Sequence, residues 1–220
     1  MYIDIHTHSA SEPADTIAVR NLAVDSDVAI KPEKGFYSAG IHPWFIDVQN
    51  LENQFRNLVK VINEKPVKFI GECGLDRIKG PSLETQQEVF VRQLHLAQEQ
   101  SKPLIIHCVK AFDELIRIKL REKITTPLIV HGFNNSRKIA EQLLDQGFYL
   151  SFGVAVLNER SNAAAIVKNM PSSSFFLETD DKDVPIQEIY IRTSELRNIT
   201  LNHLKDTIFA NWMSLNIEEL

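Results

Sequence analysis

The opening stretch MYIDIHTH places two imidazoles, His6 and His8, two residues apart at the end of an apolar run. Side chains alternate faces along a strand, so Asp4, His6 and His8 project together, opposite Ile3 and Ile5, if the strand runs that far. Four further apolar runs stop at a group able to bind a cation. Val67-Lys68-Phe69-Ile70 leads into Gly71-Glu72, Leu104-Ile105-Ile106 into His107, Leu128-Ile129-Val130 into His131, and Phe175-Phe176-Leu177 into Glu178-Thr179-Asp180. Imidazole suits zinc, manganese or iron, and the carboxylates also admit magnesium. A single histidine pair is as readily structural as metal-binding. The repetition over several strand ends decides for a metal site, because in parallel α/β folds the carboxyl ends of the strands converge on one face.

The elements that must position these groups alternate along the chain. Short β-rich runs over 2–6, 17–23, 36–41, 67–70, 104–107, 128–131, 148–152 and 175–178 alternate with helix-patterned runs over 51–63, 83–100, 112–122, 136–146 and 159–169, and a helical region ends near Ser214. In the second helix Val89, Phe90, Leu94 and Ala97 recur at helical spacing and form one apolar stripe to cover a sheet. Pro66, Pro103 and Pro127 each stand just ahead of a strand, where proline stops a preceding helix. Parallel strands with helical crossovers follow. No glycine-rich phosphate fingerprint follows any strand, which removes the best support for an open nucleotide-binding sheet. Between His8 and Phe36 there is no amphipathic helix, and 24–35 barely supplies a parallel crossover, so the first quarter of a barrel is expected to be reduced or irregular.

Composition narrows the partners. The 220 residues are read as a single domain over 1–220 with ordinary globular composition, and the formal net charge of −5 gives no general phosphate-neutralising surface. No signal segment or membrane-length apolar run is visible, so a cytoplasmic protein without a membrane or an obligate protein partner is the expectation. Cys73 and Cys108 are too few for a disulfide framework and are read as reduced core thiols. His95 and His203 are read as helix-surface or packing residues.

In order, IDIHTH, AGIHPW, IGECGLD, ETQQEVFVRQLHLAQE followed by KPLIIH, then VHGF and LETD, resemble the TatD family of metal-dependent hydrolases, with a fainter echo in SELRNITLNHLKDTIFANWMSL. The resemblance implies a TIM-like (β/α)8 barrel, distorted or reduced in its first βα units, holding two divalent cations (zinc, manganese or magnesium). Carried over by motif, His6 and His8 with Asp180 hold one, His107 and His131 hold the second, and Glu72 bridges them. Two such cations activate water and stabilise the leaving oxygen of a phosphodiester, with Asp180 placed to take the proton. His42 is expected to line the pocket and Lys110 to meet substrate. Asp76 is expected to orient a ligand or the turn after Glu72, and Asp4 and Glu178 to hydrogen-bond beside the ligands.

Three departures bear on substrate. Many family members carry an arginine two residues after the histidine of the fifth strand; here that place is Val109, and neighbouring Lys110 offers charge without a planar fork. Asp181-Lys182-Asp183-Val184-Pro185 replaces the usual small residue and proline, bringing acidic groups to the pocket mouth, and a following Arg-Asn-containing loop is missing. The segment after His8 is short. Three functions are therefore weighed: a phosphodiesterase of the deoxyribonuclease kind acting on DNA, a hydrolase of a small amide, ester or phosphoester, and a non-catalytic metal-holding barrel.

Overall fold

The computed structural model describes residues 1–10, 14–24 and 35–217. The expected weak crossover over 24–35 lies almost wholly outside the described residues. Eight strands form one sheet in chain order: β1 (Tyr2–Thr7), β2 (Thr16–Ala23), β3 (Phe36–Gly40), β4 (Val67–Asp76), β5 (Leu104–Val109), β6 (Leu128–Val130), β7 (Tyr149–Phe152) and β8 (Phe175–Leu177). Every described strand pairing is parallel. Thr7 also forms a parallel bridge with Asp180, so the first strand meets the segment leaving the last, the connectivity of a (β/α)8 barrel. The helices are α1 (Leu51–Ile62), α2 (Leu83–Glu99), α3 (Phe112–Glu122), α4 (Arg137–Asp145), α5 (Asn162–Val167), α6 (Ile186–Arg197) and α7 (Leu201–Ser214). No described helix lies between β1 and β2. No helix among the described residues is long and apolar enough to cross a membrane.

The chain divides into two compact units, one of residues 1–20 with 129–217 and the other of 21–128. In the first, Ile3, Ile5, Leu150, Phe152, Phe175 and Phe176 are buried with Ile189, Tyr190, Leu204 and Ile208 from α6 and α7. Polar side chains of these helices tie down strand backbone. The Tyr190 hydroxyl accepts from the Ile3 amide and donates to the Ile3 carbonyl, each at 3.0 Å, while Asn211 Nδ2 donates to the Ser172 and Phe175 carbonyls at 2.8 Å.

The second unit repeats this device. The apolar stripe of α2 (Val89, Phe90, Leu94, Ala97) is buried, and the same helix buries two glutamines, Gln86 and Gln93. Gln93 Oε1 accepts from the Ile41 amide at 2.7 Å and its Nε2 donates to the Ile41 carbonyl; Gln86 does the same for Asp76, at 2.7 and 2.9 Å. Each amide thus replaces a strand neighbour at the carboxyl end of β3 or β4, where backbone groups would otherwise be buried without partners. Ser82 caps α2 by accepting from the Thr85 amide at 3.2 Å.

The elements differ from the expected spans in informative ways. β4 does not stop before Gly71 but runs on to Asp76, because Gly71 and Gly74 let β4 and β5 approach closely: a Cβ at Gly74 would lie 2.0 Å from the His107 carbonyl oxygen. β1 extends through Thr7, leaving His8 beyond the strand. The fifth helix is shorter than 159–169 because Ser161 caps it at the Ala164 amide. The C-terminal helical region is two helices, separated where Asn198 takes a left-handed conformation at φ 53°.

Candidate metal centre

In the first unit the end of β1 and the segment after β8 are laced together by backbone. The Asp180 amide donates to the His6 carbonyl at 2.9 Å, and the His8 amide donates to the Asp180 carbonyl at 3.0 Å. Asp180 sits at φ 55°, a region that aspartate and asparagine tolerate better than most residues. This lacing brings His6 Nε2 and His8 Nε2 each to 3.6 Å from Asp180 Oδ1. His6 is fully buried and His8 is partly exposed. The His6 and His131 rings lie 4.4 Å apart. Behind them, fully buried Glu178 accepts from the Gly132 amide at 2.6 Å and lies 3.5 Å from His131 Nδ1. Burial pushes the Glu178 carboxyl up, but the hydrogen bond and charge of His131, with His6 and Ser151, outweigh it and hold the group below its ordinary value.

In the second unit, Glu72 Oε1 lies 3.0 Å from His42 Nε2 and 3.0 Å from His107 Nδ1. His42 Nδ1 accepts from the Trp44 amide at 3.1 Å, so a neutral His42 carries its proton on Nε2 and donates to Glu72. His107 Nε2 lies 3.1 Å from Asp76 Oδ2, which also accepts from Trp44 Nε1 at 2.6 Å, and Asp76 Oδ1 accepts from the Ile78 and Lys79 amides. Burial raises Asp76, yet these donors together hold its carboxyl below the usual range. An ionised Asp76 fixes the His107 proton on Nε2 and turns the Nδ1 lone pair toward Glu72.

Both groups have the chemistry of a cation site. His6, His8 and Asp180 bring their donor atoms within 4.8 Å of one another, and so do His42, Glu72 and His107. At 3.6 Å the contacts to Asp180 are too long for hydrogen bonds. They suit ligand atoms that would face a shared cation, which imidazole and carboxylate together can hold. Glu72 Oε1 and His107 Nδ1 lie 3.0 Å apart, and with the His107 proton on Nε2 both can turn a lone pair toward a shared cation.

The remaining expected residues fall in several places. Asp4 is buried, but its bonds go to the Thr179 amide and hydroxyl at 3.0 and 2.7 Å rather than to a histidine ring; Thr179 Oγ1 also lies 2.8 Å from Thr7 Oγ1. Lys110 is exposed at φ 52°, and what it contributes to a neighbour is its carbonyl, which accepts from Arg77 Nε at 2.9 Å. The negative charge of Asp181 is offset by Lys182, whose ammonium hydrogen-bonds it at 2.6 Å and holds its carboxyl below the ordinary value. Cys73 is fully buried and Cys108 half-buried, and burial raises both thiols far above their ordinary value. Neither joins a donor group among the described residues. His95 pairs with Glu122 at 3.0 Å on the surface. Sequence reasoning missed Asn21, whose Oδ1 accepts from the Glu72 amide at 2.9 Å and the Ser38 hydroxyl at 3.1 Å. It also missed Trp44 as the partner of Asp76, and Thr179.

Asp4 makes a testable pH contribution. Burial, only partly offset by the Thr179 bonds, raises its pKa to about 7 from 3.8. Between these values the folded state holds a proton that the unfolded chain has released, so this group's contribution to stability falls as pH rises, by up to ~1.4 kcal/mol per pH unit. Asp4→Asn retains an acceptor for the Thr179 amide and offers its NH2 to the hydroxyl. Chemical denaturation of metal-free protein across this window is expected to show a flatter profile in the variant; parallel profiles would refute the assignment.

A family model described as TatD related DNase matches residues 17–215. The 3'-5' ssDNA/RNA exonuclease TatD of Pantoea ananatis is 30% identical over 194 residues, covering 83% of this chain and 72% of that protein. The uncharacterized metal-dependent hydrolase YjjV of Escherichia coli K12 is 28% identical over 155 residues, or 69% of this chain, and the match spans only 60% of that relative's length. The crystal structure of YjjV superposes with a TM-score of 0.82 at 21% identity, covering 99% of this chain and 98% of that one, which establishes the shared fold. The family match over nearly the whole chain, together with the shared fold, places this chain in the TatD family of metal-dependent hydrolases.

Proposed function

We propose that this protein is a metal-dependent phosphodiesterase that releases nucleotides from the ends of single-stranded nucleic acid. The observation that carries the reading is the convergence of donor atoms at the strand ends of each unit, His6 and His8 with Asp180 in one and Glu72 with His107 in the other, in a member of this family. The name of the Pantoea ananatis relative supports the substrate class. The ligand set proposed for two divalent cations is His6, His8, Glu72, His107, His131 and Asp180. When bound, such cations supply Lewis acidity toward the phosphoryl oxygen and bring the pKa of water toward neutrality.

The chain's own groups then have separate tasks. Asp180, a third of whose side chain is accessible, takes the proton of the attacking water. His42 holds the Glu72 carboxylate through Nε2–H, Asp76 fixes the tautomer of His107, and Glu178 orients His131. Val109 in place of the family's arginine favours a second reading, hydrolysis of a small amide, ester or phosphoester.

One assay separates these readings. Protein stripped of metal and reloaded with magnesium, manganese or zinc is offered single-stranded DNA, bis-p-nitrophenyl phosphate, and a panel of amides and carboxylic esters. Release of mononucleotides from strand ends is expected; turnover of amides or esters with inert phosphodiesters would overturn the proposal.

A further inference from the structure

Beside the His42–Glu72–His107 group is a rim whose exposed side chains, Phe45 and Lys79, the metal chemistry does not use. The turn Pro43–Phe45 follows His42 directly and is held at both ends: the Phe45 amide donates to the His42 carbonyl at 3.0 Å, and the Phe45 carbonyl accepts from Gln54 Nε2 at 2.8 Å. The Phe45 ring lies 5.5 Å from the His42 ring yet is 58% exposed. Next to it, Trp44 is half-buried, with its ring edge-on to His42 at 4.8 Å and to His107 at 5.3 Å. The exposed Lys79 ammonium lies 3.6 Å from the centroid of the Trp44 ring. The turn carrying Lys79 is fixed through Asp76 and by close approach to Pro43, whose carbonyl oxygen would be 2.5 Å from a Cβ at Gly80.

An isolated exposed apolar side chain is ordinary. Here, however, a phenyl ring in contact with a site histidine stays open to solvent on a fixed turn, and an ammonium is held near by an indole face. A flat apolar ligand surface attached to an anion matches that pair.

We propose that Phe45 is a stacking platform for the base of the nucleotide whose phosphodiester is presented to the His42–Glu72–His107 group, with Lys79 as counter-charge to the phosphate. The inference rests on the phosphodiesterase reading and refines it. Every base has a π-face, so a phenyl platform without hydrogen-bonding edges accepts all four bases. It also demands an unstacked base, which a strand end supplies and a duplex interior does not.

The test is binding of a short fluorescein-labelled oligothymidylate to metal-free protein, followed by anisotropy, and then kinetics of the metal-loaded enzyme. Phe45→Ala is expected to weaken binding by about 10-fold and Phe45→Trp to restore it. Lys79→Gln should reduce the slope of log affinity against log salt by about 0.7. In turnover, Phe45→Ala should raise KM for thymidine 5'-p-nitrophenyl phosphate more than for methyl p-nitrophenyl phosphate, which has no base. Unchanged oligonucleotide binding in Phe45→Ala, or an equal KM change for both esters, overturns the platform. If no phosphodiester is cleaved but Phe45→Ala still loses oligonucleotide, the platform stands and the phosphodiesterase reading falls.

Discussion

Asp180→Asn is expected to lose bound metal and at least ~10³-fold in turnover, about 4 kcal/mol of transition-state stabilisation, while leaving the metal-free fold intact. The separation is possible because Asp180 has two roles on different atoms. Its amide and carbonyl lace β1 to the segment after β8, and its carboxylate faces His6 and His8. Asparagine tolerates the φ of 55° and keeps both backbone bonds, but its amide carries no charge to offer a cation. Alanine would mix the two effects, since it also bears the cost of a left-handed backbone. Elemental analysis of protein refolded with metal, beside thermal unfolding of metal-free protein, checks this. Full metal content in Asp180→Asn would remove Asp180 from the ligand set.

Gly74→Ala is expected to prevent folding or to cost well over ~4 kcal/mol, among the largest effects a single methyl can have. Gly74 is at φ 142°, and its added Cβ would lie 2.0 Å from the His107 carbonyl oxygen, with the His107 carbonyl carbon and amide nitrogen at 3.0 and 3.1 Å. These are backbone atoms between two hydrogen-bonded strands, so no side chain can turn aside. Gly132 provides the control. It also has a positive φ, of 60°, but a Cβ there meets only Glu178 Oε1 at 3.8 Å. Gly132→Ala should therefore cost ~1 kcal/mol, the backbone penalty alone. Soluble yield and urea midpoints of the two variants measure the difference; similar values would show that β4 and β5 can separate at Gly74 without penalty.

The sequence made the donors visible because each sits where an aliphatic run ends. His107 follows Leu104-Ile105-Ile106, and His131 follows Leu128-Ile129-Val130, so period and position along the chain mark them as candidates, and the family motif assigns them as ligands. The extent of β4 was less visible, because a glycine usually weakens a strand and the pattern alone cannot reveal that a neighbouring carbonyl needs its space. What orients the donors was least visible. Asn21 reaches the Glu72 amide across 51 positions of sequence, and Trp44 reaches Asp76 across 32. Such pairs depend on register, and an asparagine or tryptophan in a short strand or turn carries no local signal of its distant partner. Asp4 is instructive for the same reason. Strand parity gave its face correctly enough to suggest hydrogen bonding there, but only three-dimensional placement reveals that Thr179 receives it.

The two glutamines of α2 impose a counting rule on this helix. Gln86 and Gln93 are seven positions apart, close to two turns, and therefore share a face. One residue inserted or removed between them would rotate one amide by about 100° relative to the other. Ile41 or Asp76 would then lose both backbone partners at once, immediately beside His42 or within reach of His107. The segment from 86 to 93 should thus accept exchanges on its outer face but no change of length. In a helix that touches neither proposed cation nor substrate, spacing rather than residue chemistry carries the constraint.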